Sequence, residues 1–163
     1  MTRLGSARVR LVVSVALALA LLAAFPVVLP SDRTLVVERG ETGETLLSRP
    51  VENGTTVALE YTHSVEKSRV YDGYTVRGDK LEMTRMEFES YGWGLPAGAN
   101  VTRQNGTLVY DPPGAVTELY VSPGEIAGHR LHVGDRTYDL VEVSGGHSVR
   151  LHVERRSPLD SLI

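Results

Sequence analysis

Two patterns divide the chain. Leu11 to Leu29 is apolar on every face of a helical wheel, broken only by Ser14 and Pro26, whereas beyond Ser31 apolar and polar residues alternate in short runs. A period of two sends successive side chains to opposite faces of an extended strand. Val57, Leu59, Tyr61, His63 and Val65 therefore share one face, and Ala58, Glu60, Thr62, Ser64 and Glu66 share the other. Leu81 and Met83 are in phase, but Met86 and Phe88 fall in the opposite phase. A bulge or bend near Thr84-Arg85 would reconcile the two pairs. Leu131 with Val133, Leu140, and Val149, Leu151 and Val153 complete the expected core.

Turn chemistry punctuates the alternation. Asn53-Gly54, Gly78-Asp79, Asn105-Gly106, Gly134-Asp135 and Gly145-Gly146 are dipeptides that tolerate the positive φ of two-residue hairpin turns. Strands are predicted over 34–39, 44–51, 55–63, 68–77, 80–89, 107–110, 116–121, 129–133, 136–143 and 147–154, and no segment beyond residue 31 sustains a 3.6-residue period. The fold class is all-β: an antiparallel β-sandwich or partly open barrel of short hairpin-linked strands, preceded by one N-terminal transmembrane helix. The Arg77-Gly78-Asp79 tripeptide has the composition of an adhesive motif, but its Gly-Asp pair is also a turn signal, and the turn is the reading adopted.

The 19 residues from Leu11 to Leu29 would span about 28 Å as a helix, near the ~30 Å of a bilayer's hydrocarbon core. Arg3, Arg8 and Arg10 flank the run without an acidic neighbour, which keeps that side cytoplasmic and the rest outside. The segment is read as an uncleaved signal-anchor; cleavage near Ala18-Leu19-Ala20 or Ala23-Ala24 is the alternative and would give a secreted protein. The organisation is thus a membrane segment over 1–30, an extracytoplasmic β domain over 31–155, and a C-terminal tail over 156–163. The expected location is the cell membrane, single-pass, with the membrane lipid as one partner.

Composition narrows the function classes. Apart from the three N-terminal arginines, 14 basic residues face 20 acidic ones, a net charge of −6 that argues against nucleic acid as a partner. With no cysteine, there is neither a disulfide framework nor a thiol for a lipid anchor, so the core must hold the domain. Asn53, Asn100 and Asn105 each begin an Asn-x-Thr sequon and are candidate glycosylation sites, although Asn-Gly-Thr is also ordinary turn chemistry.

Two polar stretches carry the candidate chemistry. In "YTHSVEKS", over 61–68, His63, Ser64 and Glu66 suggest a hydrolase, yet adjacent strand residues point to opposite faces, and no Gly-x-Ser-x-Gly elbow is present. The five histidines show no His-x-His or His-Glu-x-x-His spacing, so no metal ligand and no cofactor is assigned. His63 is read as partly buried, bonded to backbone or to Glu66 or Glu89. The second stretch, "FESYGWGLP", over 88–96, sets the only tryptophan, Trp93, between Gly92 and Gly94. Tyr91 and Trp93 have amphipathic rings of the sort favoured at interfaces. The candidate ligand- or partner-binding residues are therefore His63, Ser64, Glu66, Glu89, Ser90, Gly92, Trp93, Gly94 and Pro96; no residue is assigned a catalytic role, and the chain is read as a non-enzyme.

The pairing of these stretches resembles the uncharacterised family called domain of unknown function 1850. The resemblance rests on His63, Ser64, Val65 and Glu66, then Phe88, Ser90, Gly92, Gly94 and Pro96. It implies a small secreted or anchored protein, and genes of the family are often found beside those of TRAP transporters, particularly the TAXI class with an extracytoplasmic solute receptor. The expected function is accordingly a non-enzymatic accessory to such a transporter or its receptor, with the Trp93 loop as the contact surface. The alternative is an extracytoplasmic protein that binds a small ligand or metal with the same residues.

Overall fold

The computed structural model describes residues 32–90 and 100–155. The 1–30 segment, the tail over 156–163, and Tyr91, Gly92, Trp93, Gly94 and Pro96 lie outside the described residues. Among the described residues no helix is long and apolar enough to cross a membrane.

The described residues are almost entirely β and antiparallel. Among the described residues the strands are β1 (Arg33–Arg39), β2 (Thr45–Val51), β3 (Thr56–Thr62), β4 (Arg69–Arg77), β5 (Lys80–Phe88), β6 (Thr102–Gln104), β7 (Thr107–Tyr110), β8 (Ala115–Val116), β9 (Glu118–Val121), β10 (Arg130–Val133), β11 (Arg136–Asp139) and β12 (Val149–Arg155), with one short helix, α1 (Leu140–Ser144), before β12. They form two open sheets. The smaller runs β2-β1-β12-β9; the larger runs β11-β10-β3-β4-β5-β7-β6, with β8 added beside β5.

One apolar core joins the sheets. Leu35 and Val37 of β1, Val51 of β2, and Val149, Leu151 and Val153 of β12 meet Val57 and Leu59 of β3, Val76 of β4, Leu81 of β5, and Leu131 and Val133 of β10. Each fully buried Val or Leu contributes about 1.5–3 kcal/mol relative to exposure, so this face is the main source of stability. A second, smaller cluster of Val70, Phe88 and Leu108 lies on the same face of the larger sheet, flanked by Tyr61, Met86, Val101 and Tyr110.

The phase break in β5 is a bulge. Gly73 pairs with Arg85 while the next residue, Tyr74, pairs with Met83, so Thr84 is the extra residue. This lets Leu81 and Met83 face the core on one side of the bulge and Met86 and Phe88 on the other. Gly73 is required here for space: a Cβ would lie 3.1 Å from the Tyr71 ring and 3.3 Å from the Arg85 carbonyl oxygen.

Several boundaries differ from the sequence reading. The run 116–121 is divided: β8 pairs with β5 in the larger sheet and β9 with β12 in the smaller. The run 136–143 stops at Asp139, whose carboxylate accepts hydrogen bonds from the Val141 and Glu142 N–H groups and caps α1. Gly145-Gly146 is accordingly the C-terminal end of that helix, with Gly145 at φ 62°, and not a hairpin turn. Asn53-Gly54 is a corner that carries the chain from the smaller sheet to the larger. There Asn53 Oδ1 accepts from the Gly78 N–H at 2.7 Å, tying the corner to the β4–β5 turn. The three-residue β6 had no alternating signal of its own. Arg77-Gly78-Asp79 does form a hairpin turn, with Gly78 at φ 65°.

Gly73→Ala is expected to destabilise the domain by about 1–3 kcal/mol, the usual cost of forcing an atom into a packed site. Urea unfolding of the full chain measures it; an unchanged midpoint would show that Tyr71 and Arg85 give way freely.

Candidate functional site

The two motif stretches meet at the end of β3 and β5. β3 ends at Thr62, and residues 63–68 form the turn into β4. The turn is closed from within: the His63 N–H donates to the Ser68 carbonyl at 2.8 Å, the Lys67 N–H donates to the His63 carbonyl at 2.9 Å, and Lys67 takes φ 53°. His63 Nδ1 accepts from the Glu66 N–H at 3.3 Å, so the imidazole caps the turn through Glu66's backbone. Ser64 and Glu66 are exposed, and Val65, expected on the inner face, is 67% exposed because the alternation ends with the strand.

Ser68 connects this turn to the second motif. Its hydroxyl lies 3.1 Å from that of Ser90, two residues past the end of β5, so the first described residues of "FESYGWGLP" are bonded to the turn. Glu89 beside it is exposed. Of the candidate residues, His63, Ser64, Glu66, Glu89 and Ser90 are therefore described, and His63, Ser64, Glu66 and Ser90 sit on or against one turn. The sequons occupy exposed turn positions, Asn100 at φ 56° and Asn105 at φ 51°, while the Asn53 amide is engaged with Gly78.

A second loop, 122–129, flanks the turn. Its Ala127 carbonyl accepts from the Thr62 N–H at 2.8 Å, and its Ile126 is 77% exposed. Between loop and strand lies a cavity of about 280 Å³ lined by Glu60, Tyr61, Thr62, Arg69, Ile126 and Arg130, among others. On this outer face Arg69 bridges Glu60 and Glu87 at 2.9 and 3.1 Å, and Arg85 pairs with Glu87 at 2.6 Å. The hydrogen bond from Arg85, with that from Arg69, holds the Glu87 carboxyl below its ordinary range. Such exposed pairs are worth little stability each and act here to fix the surface.

Beneath the turn is a buried polar group that the sequence reading missed. Asp72 of β4 is 8% exposed and faces inward beside Leu59. The Tyr61 hydroxyl donates to its carboxylate, while Asp72 Oδ1 has no hydrogen-bond partner among the described residues. Burial pushes the Asp72 carboxyl up to about 6, against the pull of the Tyr61 bond. Burial, then the Asp72 charge, holds the Tyr61 phenol far above its usual range and pushes Tyr74 up to about 12. Tyr61 also stacks on His129, with ring centroids 5.1 Å apart and planes 18° off parallel. Burial lowers the His129 pKa, and its Nδ1 accepts from the Gly124 N–H at 3.4 Å. The sequence predicts the strand over 68–77, but only its register against β3 places this Asp in the interior.

With this geometry in place, comparison with known proteins adds one finding. A family model, Domain of unknown function (DUF1850), matches residues 57–140. The chain belongs to this family. The DUF1850 match takes in the larger sheet nearly whole, together with β9, and both Asp72 and the braced turn fall inside it; β1, β2 and β12 lie outside. No curated protein and no solved structure matches the chain.

Asp72 gives a pH test with a definite sign. A carboxyl held at about 6 against an ordinary 3.8 binds its proton more tightly in the folded state. Stability contributed by this group is thus full below about pH 4, falls as pH rises towards 6, and is flat above. Asp72→Asn should remove that slope and stabilise the protein at pH 7 by something on the order of 2 kcal/mol. Urea unfolding between pH 4 and 8 measures it; parallel pH profiles for wild type and variant would refute the assignment.

Proposed function

We propose that this chain is a non-enzymatic accessory protein, anchored through its apolar N-terminal segment, whose β domain docks at the outer face of a TRAP-type transporter or its solute receptor. The observation that carries the docking reading is the pair of exposed apolar residues, Val65 and Ile126, on two loops braced against the end of β3. Exposed apolar side chains scattered singly need no explanation. These two are held on hydrogen-bonded turns flanking the same strand end, one by the His63 cap and one by the Thr62–Ala127 bond. Charges from Glu60, Arg69 and Arg130 surround the adjoining cavity, which gives an apolar contact a polar rim. The choice of a TRAP transporter as partner rests on the family's gene neighbourhood.

Membrane extraction and affinity purification of the full-length protein should recover transporter subunits with it. Val65→Asp and Ile126→Asp should reduce that recovery without lowering the thermal unfolding midpoint, because both side chains are already in water. Absence of transporter subunits from the wild-type preparation, together with unchanged solute uptake in a deletion strain, would sink the proposal.

A further inference from the structure

The geometry points to a second site, a cleft for the carboxylate of a small organic acid, where the edge strands of the two sheets come together. A cavity of about 370 Å³ is lined by Arg49 of β2, Arg136 and Tyr138 of β11, Thr55 of the β2–β3 corner, and Gly134 and Asp135 of the β10–β11 turn. β2 is an edge of the smaller sheet and β11 an edge of the larger, so the cleft is an opening of the sandwich with strand edges on both sides. Nothing in the family match assigns it, and its Arg49 and Thr55 lie outside that match.

Two features distinguish it. The first is unspent positive charge. Most other arginines of the domain are matched, among them Arg69 to Glu60 and Glu87, Arg150 to Glu38 and Glu118, and Arg77 to Glu82, whereas Arg103 donates to the Gly106 carbonyl oxygen. Arg49 and Arg136 line one cavity and have no carboxylate partner among the described residues. This occurs in a domain with acidic residues in excess, where carboxylates are the commoner partner to find.

The second is the sense of the free hydrogen-bonding groups. Arg49 Nε donates to the Tyr138 hydroxyl oxygen, and its guanidinium carbon sits 5.1 Å from the centre of the Tyr138 ring. The tyrosine thus orients the guanidinium and leaves its two terminal nitrogens as donors. Tyr138 keeps its own O–H to donate. The Thr55 oxygen already accepts from the Glu52 N–H at 2.9 Å, so its hydroxyl proton also remains to be given. Every one of these groups offers a hydrogen, and a carboxylate, which only accepts, is the complement of such a set. An oriented guanidinium suits a planar carboxylate in particular. A bare inorganic anion would fill little of 370 Å³, which favours an acid with a carbon skeleton. Asp135 contributes one opposing charge at the rim, against two cations.

The test uses the full-length protein in detergent with succinate, inorganic phosphate and neutral succinamide as probes, by calorimetric titration. Succinate is expected to bind saturably, succinamide not at all. Arg136→Gln, an exposed position that leaves folding intact, should raise the succinate Kd by about tenfold or more, the loss expected for one charge-assisted contact. Arg49→Lys keeps the charge but loses the planar fork and should weaken binding as well, whereas Asp135→Asn should tighten it. Absence of succinate binding, equal binding in Arg136→Gln, or equal binding of succinamide would overturn the site. Phosphate binding as tight as succinate would overturn the assignment to an organic acid.

Discussion

The antiparallel ladder between β1 and β12 is the interaction on which the domain depends. It runs from Arg33 opposite Arg155 to Arg39 opposite Val149 and sets Leu35 against Val153 and Val37 against Leu151, all four of them core residues. The larger sheet has an inner face of Val57, Leu59, Val76, Leu81 and Leu131 that is stable only when covered. β1 and β12 supply most of that cover, and they are the first and last strands described. The segment matching the family model holds the large sheet but only β9 of the small one, so its apolar face has to be closed by flanking sequence. No cysteine helps to hold the ends. The loop-closure entropy of joining strands more than a hundred residues apart is met by core burial alone, which favours late and cooperative folding.

Much of this architecture was legible in the residue pattern, for a simple reason: a sheet with one buried face writes its register as alternation. The interruption in β5 was readable in the same way, since a change of phase between Met83 and Met86 has to be absorbed by an extra residue, and Thr84 is that residue. The failures share a cause. Turn residues report a local need for positive φ or a side-chain acceptor, and not which elements they connect. Gly145-Gly146 closes a helix of five residues, too short to show a period, and Asn53-Gly54 turns a corner between sheets, although both read as hairpins. The 116–121 run contains a change of sheet that leaves no mark on composition.

The site was legible only in part. Strand geometry argued against a His63–Ser64 catalytic pair, and the imidazole is engaged with the Glu66 N–H in the turn. Carrying the alternation through to Val65 went too far, because the turn begins at His63 and frees the following side chains from the strand's two faces. Asp72 falls inside the predicted strand over 68–77 but was assigned no role, because an acidic residue is ordinarily exposed. Only the pairing of Asp72 with Leu59 sets it on the inner face, while Gly73 next to it admits the Tyr71 ring and the Arg85 carbonyl. The cleft of Arg49 and Arg136 was beyond reach altogether. The two residues are far apart in sequence, and only the packing of one sheet edge on another brings them to one cavity.

Asp72 remains the most expensive residue in the interior, and its position suggests what it provides. An apolar side chain there would bury without leaving an acceptor unmatched, and replacing buried polar groups by apolar ones of similar shape is often neutral or stabilising. What such a residue lacks is direction. The carboxylate takes the Tyr61 hydroxyl, Tyr61 stacks on His129, and the His129 carbonyl accepts from the Leu140 N–H at the start of α1. His129 also closes the loop that holds Ile126, through the Gly124 N–H. A single buried acid therefore orients, by a chain of directional contacts, one of the two loops that flank the motif turn. Dispersion and apolar burial are indifferent to small rotations of a ring; a hydrogen bond and a stacked pair are not. Near neutral pH the buried carboxylate costs stability, and the contacts it anchors run from the interior to the loop beside His63 and Ser90.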